Sequence, residues 1–308
     1  MKKFISIMLA LTVLLLPLSG CTNTTDNVFT MSSVKPWNND GINTEICVYD
    51  YEKTDASGNA VAYGTLTVTI RTSGETTTID SRFEISNEGA VDSVYSSIMC
   101  DSSTLRPKRL EKTVRNNVSE NDGYTDKGYT MILDYESGKG SFDFSDPDAD
   151  EKDDLTLPSD MSDNTFDSDQ YYYIVRSANN LTAENNSGMF NLYNGTDSFI
   201  VEKNITFPMK YIVGKEQVVD CKKLAGKFGI SESGKVLCRT VNAQINATQS
   251  GSTTTLLLAS AAFGNDTSEG RTPSGRNVII SISRPQYSVR ESKLEYTHKY
   301  TLAEYRAF

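Results

Sequence analysis

Gly64-Thr65-Leu66-Thr67-Val68-Thr69-Ile70 is followed by Ser73-Gly74-Glu75 and then by Ile79-Asp80-Ser81-Arg82-Phe83-Glu84-Ile85. Leu66, Val68 and Ile70 alternate with threonines; Ile79, Phe83 and Ile85 alternate with Asp80, Arg82 and Glu84. A period of two with one polar face marks an antiparallel strand with one side buried. The Ser-Gly pair between the runs suits a tight turn, so the stretch reads as a hairpin.

The pattern repeats outward from this hairpin. Tyr129, Met131, Leu133 and Tyr135 share one parity. Leu294, Tyr296, His298, Tyr300 and Leu302 share another, opposite Lys293, Glu295, Thr297, Lys299 and Thr301. Turn signals stand at Ser57-Gly58-Asn59, Asn121-Asp122-Gly123, Glu136-Ser137-Gly138, Tyr193-Asn194-Gly195 and Glu232-Ser233-Gly234. Strands are expected over 45–52, 61–72, 76–86, 91–99, 107–115, 128–135, 139–144, 188–193, 198–207, 209–219, 235–245, 253–261, 278–283 and 293–302. One helix is expected over 163–177, capped by Asp163 or Thr165, although Tyr171-Tyr172-Tyr173-Ile174-Val175 reads equally well as strand. The expected fold class is all-β: an antiparallel curved sheet forming a barrel-like or half-barrel structure with one short helix. The acidic stretch from Asp143 to Asp163 reads as a solvated loop dividing two β regions.

Composition narrows the chemistry. The chain of 308 residues carries a formal charge of −10 and a single histidine, His298. One histidine removes multi-His metal sites, and any Ser-His-Asp or Cys-His group must use that residue. The acidic balance argues against a nucleic-acid partner, which needs a basic face. Within the acidic stretch, Asp146, Asp148 and Asp150 alternate as calcium ligands do, but Glu151 and Leu157 stand where an EF-hand needs Gly and Glu. No metal and no cofactor are expected.

The first residues read as an address. Met1-Lys2-Lys3 is basic, Phe4 to Leu16 is apolar, and Leu18-Ser19-Gly20-Cys21 follows. The apolar run is shorter than the roughly 20 residues a spanning helix needs, so a signal peptide fits better. The ending looks like the lipobox of bacterial lipoproteins, which makes Cys21 the lipidation site. The expected division is a signal peptide over 1–20, a lipidated tether over 21–39 and a β-rich domain over 40–308. The tether is rich in Asn, Thr, Ser and Asp. The partner implied is a membrane, engaged through the lipid on its extracytoplasmic face. Four cysteines remain. Cys221 and Cys238 flank a Gly- and Ser-containing turn region and admit either a cross-hairpin disulfide or two buried thiols.

Several local signatures arrive in one order. A strand from Glu45 to Tyr49 ends in Asp50-Tyr51. Tyr63-Gly64-Thr65-Leu66 follows, then Asp101 to Pro107 with Thr104-Leu105-Arg106-Pro107 at its end. Leu157-Pro158 precedes a Tyr-rich segment closing on Arg176, and Gly214-Lys215-Glu216 lies in a late strand. This order, over roughly residues 45–245, resembles a bacterial envelope family classed as a domain of unknown function. The resemblance implies a curved sheet or half-barrel, similar in shape to periplasmic carriers of lipoproteins and lipids. It implies no catalytic residues, and it places Gly214 at a bend or bulge.

The function expected from all of this is non-enzymatic: binding of an apolar ligand, such as a lipid, or of an envelope partner. The aromatic and Met parity faces supply the lining, with Tyr129, Met131, Leu133, Tyr296 and Tyr300 as candidates. A surface scaffold or adhesion module binding protein or polysaccharide is the alternative.

Overall fold

The computed structural model describes residues 28–37, 41–87, 90–115, 128–144, 152–158, 161–200, 203–225, 230, 232–245, 253–259, 276–288 and 293–308. The strands are β1 (Thr44–Asp55), β2 (Ala60–Ser73), β3 (Thr76–Asn87), β4 (Ala90–Asp101), β5 (Pro107–Arg115), β6 (Tyr129–Asp134), β7 (Lys139–Phe144) and β8 (Lys152–Thr156). They continue as β9 (Thr165–Asp167), β10 (Ser187–Tyr193), β11 (Thr206–Asp220), β12 (Lys235–Ile245), β13 (Thr253–Ala259), β14 (Val278–Tyr287) and β15 (Leu294–Ala307). The α-helices are α1 (Tyr171–Ser177) and α2 (Gly195–Ile200).

All fifteen strands form one sheet. It runs from β8 stepwise back to β1, then across to β15 and stepwise back to β9. Every neighbouring pair is antiparallel except β9 with β10. The two edges, β8 and β9, are joined only by residues 157–164. Such a link reaches at most about 30 Å, whereas fifteen strands laid flat would span about 67 Å. The sheet must therefore curl until its edges approach, which gives an open, half-barrel trough. The hairpin read from Leu66 to Ile85 is β2–β3, with Gly74 at φ 60° in its turn.

Register defines the two faces. Glu45, Cys47, Tyr49 and Tyr51 of β1 point into the trough. Their partners there include Ile70, Val68, Leu66 and Gly64 on β2 and Tyr305, Leu302 and Tyr300 on β15. Asp50 and Glu52 lie on the outer face. A 3₁₀ turn at Lys222–Leu224, between β11 and β12, folds back onto that outer face, where Lys223 ion-pairs with Asp50. A bulge between Val213 and Glu216, at Gly214, lets β11 make this bend.

The middle of the trough is filled by the chain itself. Tyr171, Tyr173, Ile174 and Val175 of α1 are buried against β1, β11, β13 and β14 residues in the larger core. A smaller core gathers Ile98, Leu110, Met131, Leu133 and Phe142 of the first half-sheet with Tyr193 and Phe199.

Four expectations need correction. The tether does not extend to residue 39, because Phe29, Met31, Val34 and Trp37 are all buried in the larger core. Phe29 sits 5.4–6.2 Å from the rings of Phe166, Phe190 and Tyr211, so the fold begins no later than Val28 rather than at residue 40. The helix is shorter than 163–177. Thr165–Asp167 is buried strand, and a capping box formed by Asp167 and Gln170 starts the helical path only there. The strand expected over 198–207 does not run through: residues 198–200 close α2, whose first turn is capped where Asn194 accepts from the Asp197 amide at 3.0 Å, and Thr206 and Phe207 open β11. Part of the acidic loop is a strand, β8, paired with β7.

Candidate ligand site at the open end of the trough

Beyond the first turn of α1 the described residues of the trough floor are a mixture of buried and half-buried side chains. Three rows of paired residues cross this floor. Leu66 lies beside Phe83 and Tyr49; Gly64 beside Ile85 and Tyr51, with Tyr300 and Ile282 continuing the row. The third row is Ala62, Lys53, His298 and Arg284, and Asp55, Tyr296 and Gln286 stand one row further out. The ring of Tyr51 meets Phe83 edge-on at 4.8 Å and Tyr300 at 5.0 Å, and Phe83 and Tyr300 are 5.8 Å apart. Tyr51 is buried, while Phe83, Tyr300, Tyr296 and Tyr172 are half-buried and line the opening.

His298 organises the floor. Its Nδ1 lies 2.9 Å from the Tyr51 hydroxyl and its Nε2 lies 2.8 Å from Gln286 Oε1. Burial, helped by Arg284 and Lys53, pushes its pKa down to about 4. The ring is thus neutral at neutral pH, with Nε2–H donating to Gln286 and Nδ1 accepting from Tyr51. Burial pushes the Tyr51 hydroxyl up to about 12, so it stays protonated and can donate.

Two cations flank this aromatic lane. The Lys53 ammonium sits 3.9 Å above the Tyr296 ring. Arg284 is exposed and influenced by Tyr51, Tyr171, Tyr172 and Tyr300. Among the described residues neither cation is paired with a carboxylate.

The five lining candidates divide. Tyr296 and Tyr300 belong to this open end. Tyr129, Met131 and Leu133 do not: all three are buried in the smaller core. Tyr129 stacks on Phe142 at 4.5 Å and Phe142 on Phe199 at 4.3 Å, and Gly195 lies so close to Leu133 that a Cβ would fall 2.5 Å from its Cδ1. They are packing residues, because α2 covers them. Lys53, Arg284, Tyr51 and Phe83 were not singled out from sequence. Their signal was the parity they share with Tyr296 and Tyr300 once strands are paired, and pairing is a tertiary fact.

Cys221 and Cys238 are buried free thiols. The hairpin between them forms, yet its register sets Cys238 opposite Gln217, while Cys221 bonds Gly234. Four residues of strand, about 13 Å, separate them along the ladder, beyond the Cα distance a disulfide tolerates. Cys21, Asp146, Asp148 and Asp150 lie outside the described residues.

The motifs quoted for the family resemblance meet at the root of α1. Arg176 pairs with Glu45 at 2.9 Å, and Arg276 lies 3.5 Å from the same carboxylate. The Trp37 ring stands 4.9 Å from the Arg276 and 5.4 Å from the Arg176 guanidinium. Leu105, buried at φ 55°, presents its carbonyl to Gln170 Nε2 at 3.1 Å. These contacts tie α1 to the sheet.

Two other places gather polar or charged side chains. Near the seam, the Tyr135 hydroxyl donates to Asp167, whose carboxyl burial holds well above the usual range, and Lys112 pairs with Asp169 at 3.0 Å. The adjoining cavity of about 50 Å³ holds little more than water. On the outer face a groove of about 720 Å³ is lined by Asp50, Glu52, Tyr63, Lys222, Lys223 and Lys299. Its charges already compensate one another through Lys223 with Asp50 and Lys222 with Asp220. The open trough end sets half-buried aromatics beside two cations that have no carboxylate partner among the described residues.

No family model, curated protein or solved structure matches this chain.

Proposed function

We propose that the chain is a lipoprotein, held on the extracytoplasmic face of a membrane by an acylated Cys21, that binds an apolar ligand without transforming it. The observation that carries this reading is the aromatic lane of Tyr51, Phe83 and Tyr300, in which Phe83 and Tyr300 are only half-buried while α1 packs into the larger core beside them. The ligand lies against these rings, and loss of apolar surface from water drives binding. Protonated Tyr hydroxyls orient any polar end. The leader pattern around Cys21 and the likeness to an envelope family support the location.

Native mass spectrometry of the purified protein tests this directly. A co-purifying lipid released by Tyr300→Ala but retained by Tyr129→Phe supports the lane; the absence of any bound or bindable lipid refutes it. Incorporation of a palmitate analogue that disappears with Cys21→Ser tests the anchor. The outer groove favours a second reading, a surface module that grips protein or polysaccharide through Tyr63 and its surrounding charges. Loss of surface binding on Tyr63→Ala, with the lane intact, would support that reading instead.

A further inference from the structure

We infer that the ligand of the open trough end is an anionic amphiphile, an acyl chain ending in a carboxylate or phosphate, whose head is held between Lys53 and Arg284. The inference rests on the lane being a binding site and adds the chemistry of the head.

Lys53, His298 and Arg284 occupy one row on three adjacent strands, so the two cations stand two strand spacings apart, about 10 Å. That row is the outer one of the three, with Asp55, Tyr296 and Gln286 one row beyond it. The next two rows inward are apolar, with Tyr51, Tyr300, Phe83, Leu66 and Ile282. Across these three rows the lining changes from apolar to cationic. A single-chain amphiphile has the same order, tail then head.

Charge sharpens the case. The chain carries ten more acidic than basic residues, yet among the described residues no carboxylate reaches either cation. Several arginines of the sheet have a carboxylate partner: Arg71 with Asp80, Arg82 with Glu84, Arg109 with Glu111, Arg239 with Glu216 and Arg306 with Glu304. The nearest acid by register, Asp55, spends its Oδ1 on the amides of Ser57 and Asn59 within its own turn. His298 between the two cations is held neutral and contributes no repulsion. Ala62 and Gly64 have little or no side chain, which leaves the floor beside Lys53 low. An anionic head would sit above this floor and receive charge-assisted hydrogen bonds from both sides.

Calorimetric titration of the purified protein with oleate, oleyl alcohol and acetate at low salt tests the inference. Oleate should bind at least tenfold more tightly than oleyl alcohol, and acetate should not bind. The double variant Lys53→Gln with Arg284→Gln, both at the solvent-accessible mouth, should bring oleate down to the level of the alcohol, about tenfold, and leave the alcohol unchanged. Equal binding of oleate and alcohol to the wild type would overturn the anionic head while leaving the apolar lane standing. Binding of acetate as strong as that of oleate would overturn the amphiphile in favour of a plain anion site. Failure of both long-chain probes would overturn the lane as well.

Discussion

Glu45→Gln removes one charge from the centre of the larger core. Glu45 is fully buried, and the side chains of Arg176 and Arg276 are each 1% exposed. The wild type thus sets both guanidiniums against the Glu45 carboxylate and the face of Trp37. Arg276 gains further support from the carbonyls of Trp37 at 2.9 Å and Ile42 at 3.1 Å. Arg176 has less in reserve: its Nε is buried without a hydrogen-bond partner. Glutamine keeps the shape but leaves the Arg176 guanidinium without its carboxylate in a dry site. Removing one partner of a buried pair costs about 3–5 kcal/mol, so about 4 kcal/mol is expected. Typical domains hold only about 5–15 kcal/mol in total. Trp37, the only tryptophan, touches both guanidiniums and reports the loss directly by fluorescence during urea unfolding. Because the site is buried, 1 M salt should restore little of it. A variant within about 1 kcal/mol of the wild type, or one rescued by salt, would refute the view that this cluster holds α1 in the trough.

Three further outcomes are expected. His298 has a folded pKa near 4 against about 6.5 unfolded. The unfolded chain therefore takes up a proton first as pH falls, and stability declines from pH 6.5 towards 4. Between pH 8 and pH 5 the wild type should lose about 1–2 kcal/mol more than His298→Gln, with the ring's position at an open mouth setting the lower figure; parallel pH curves would contradict a neutral buried imidazole. Gly64→Ala should lower the urea midpoint by the equivalent of about 2 kcal/mol, because an added Cβ would stand 2.2 Å from the Glu84 carbonyl oxygen; an unchanged midpoint argues against the close approach of β2 and β3. Alkylation of unreduced protein should label Cys47, Cys100, Cys221 and Cys238 only after denaturation, since burial raises all four thiols, and a peptide linking Cys221 to Cys238 would contradict the β11–β12 register.

Local pattern carried far where one face of a strand meets water. The strands 107–115, 139–144 and 235–245 are β5, β7 and β12 residue for residue, because alternation and flanking turn residues act over short range. It failed where a competing local bond won, as at Asn194, a turn residue whose side chain caps a helix that takes the first residues of the strand expected from 198. It failed again over 28–37, where average polarity hid Phe29, Met31, Val34 and Trp37, spaced residues that only a surrounding sheet could bury.

The amino-acid order by itself determined that this is a curved antiparallel sheet with one polar face, since side-chain alternation is written residue by residue. Which of its apolar faces is core and which is open depended on where α1, α2 and residues 28–37 come to rest. That choice sent Tyr129, Met131 and Leu133 into solid packing. It left Tyr296 and Tyr300 at a mouth beside Lys53 and Arg284, which lie 231 positions apart in the chain and come within two strands of each other only through the pairing of β1 with β15 and β15 with β14. Contacts between distant segments follow from burial shared across the whole sheet, and no stretch of sequence contains that information alone.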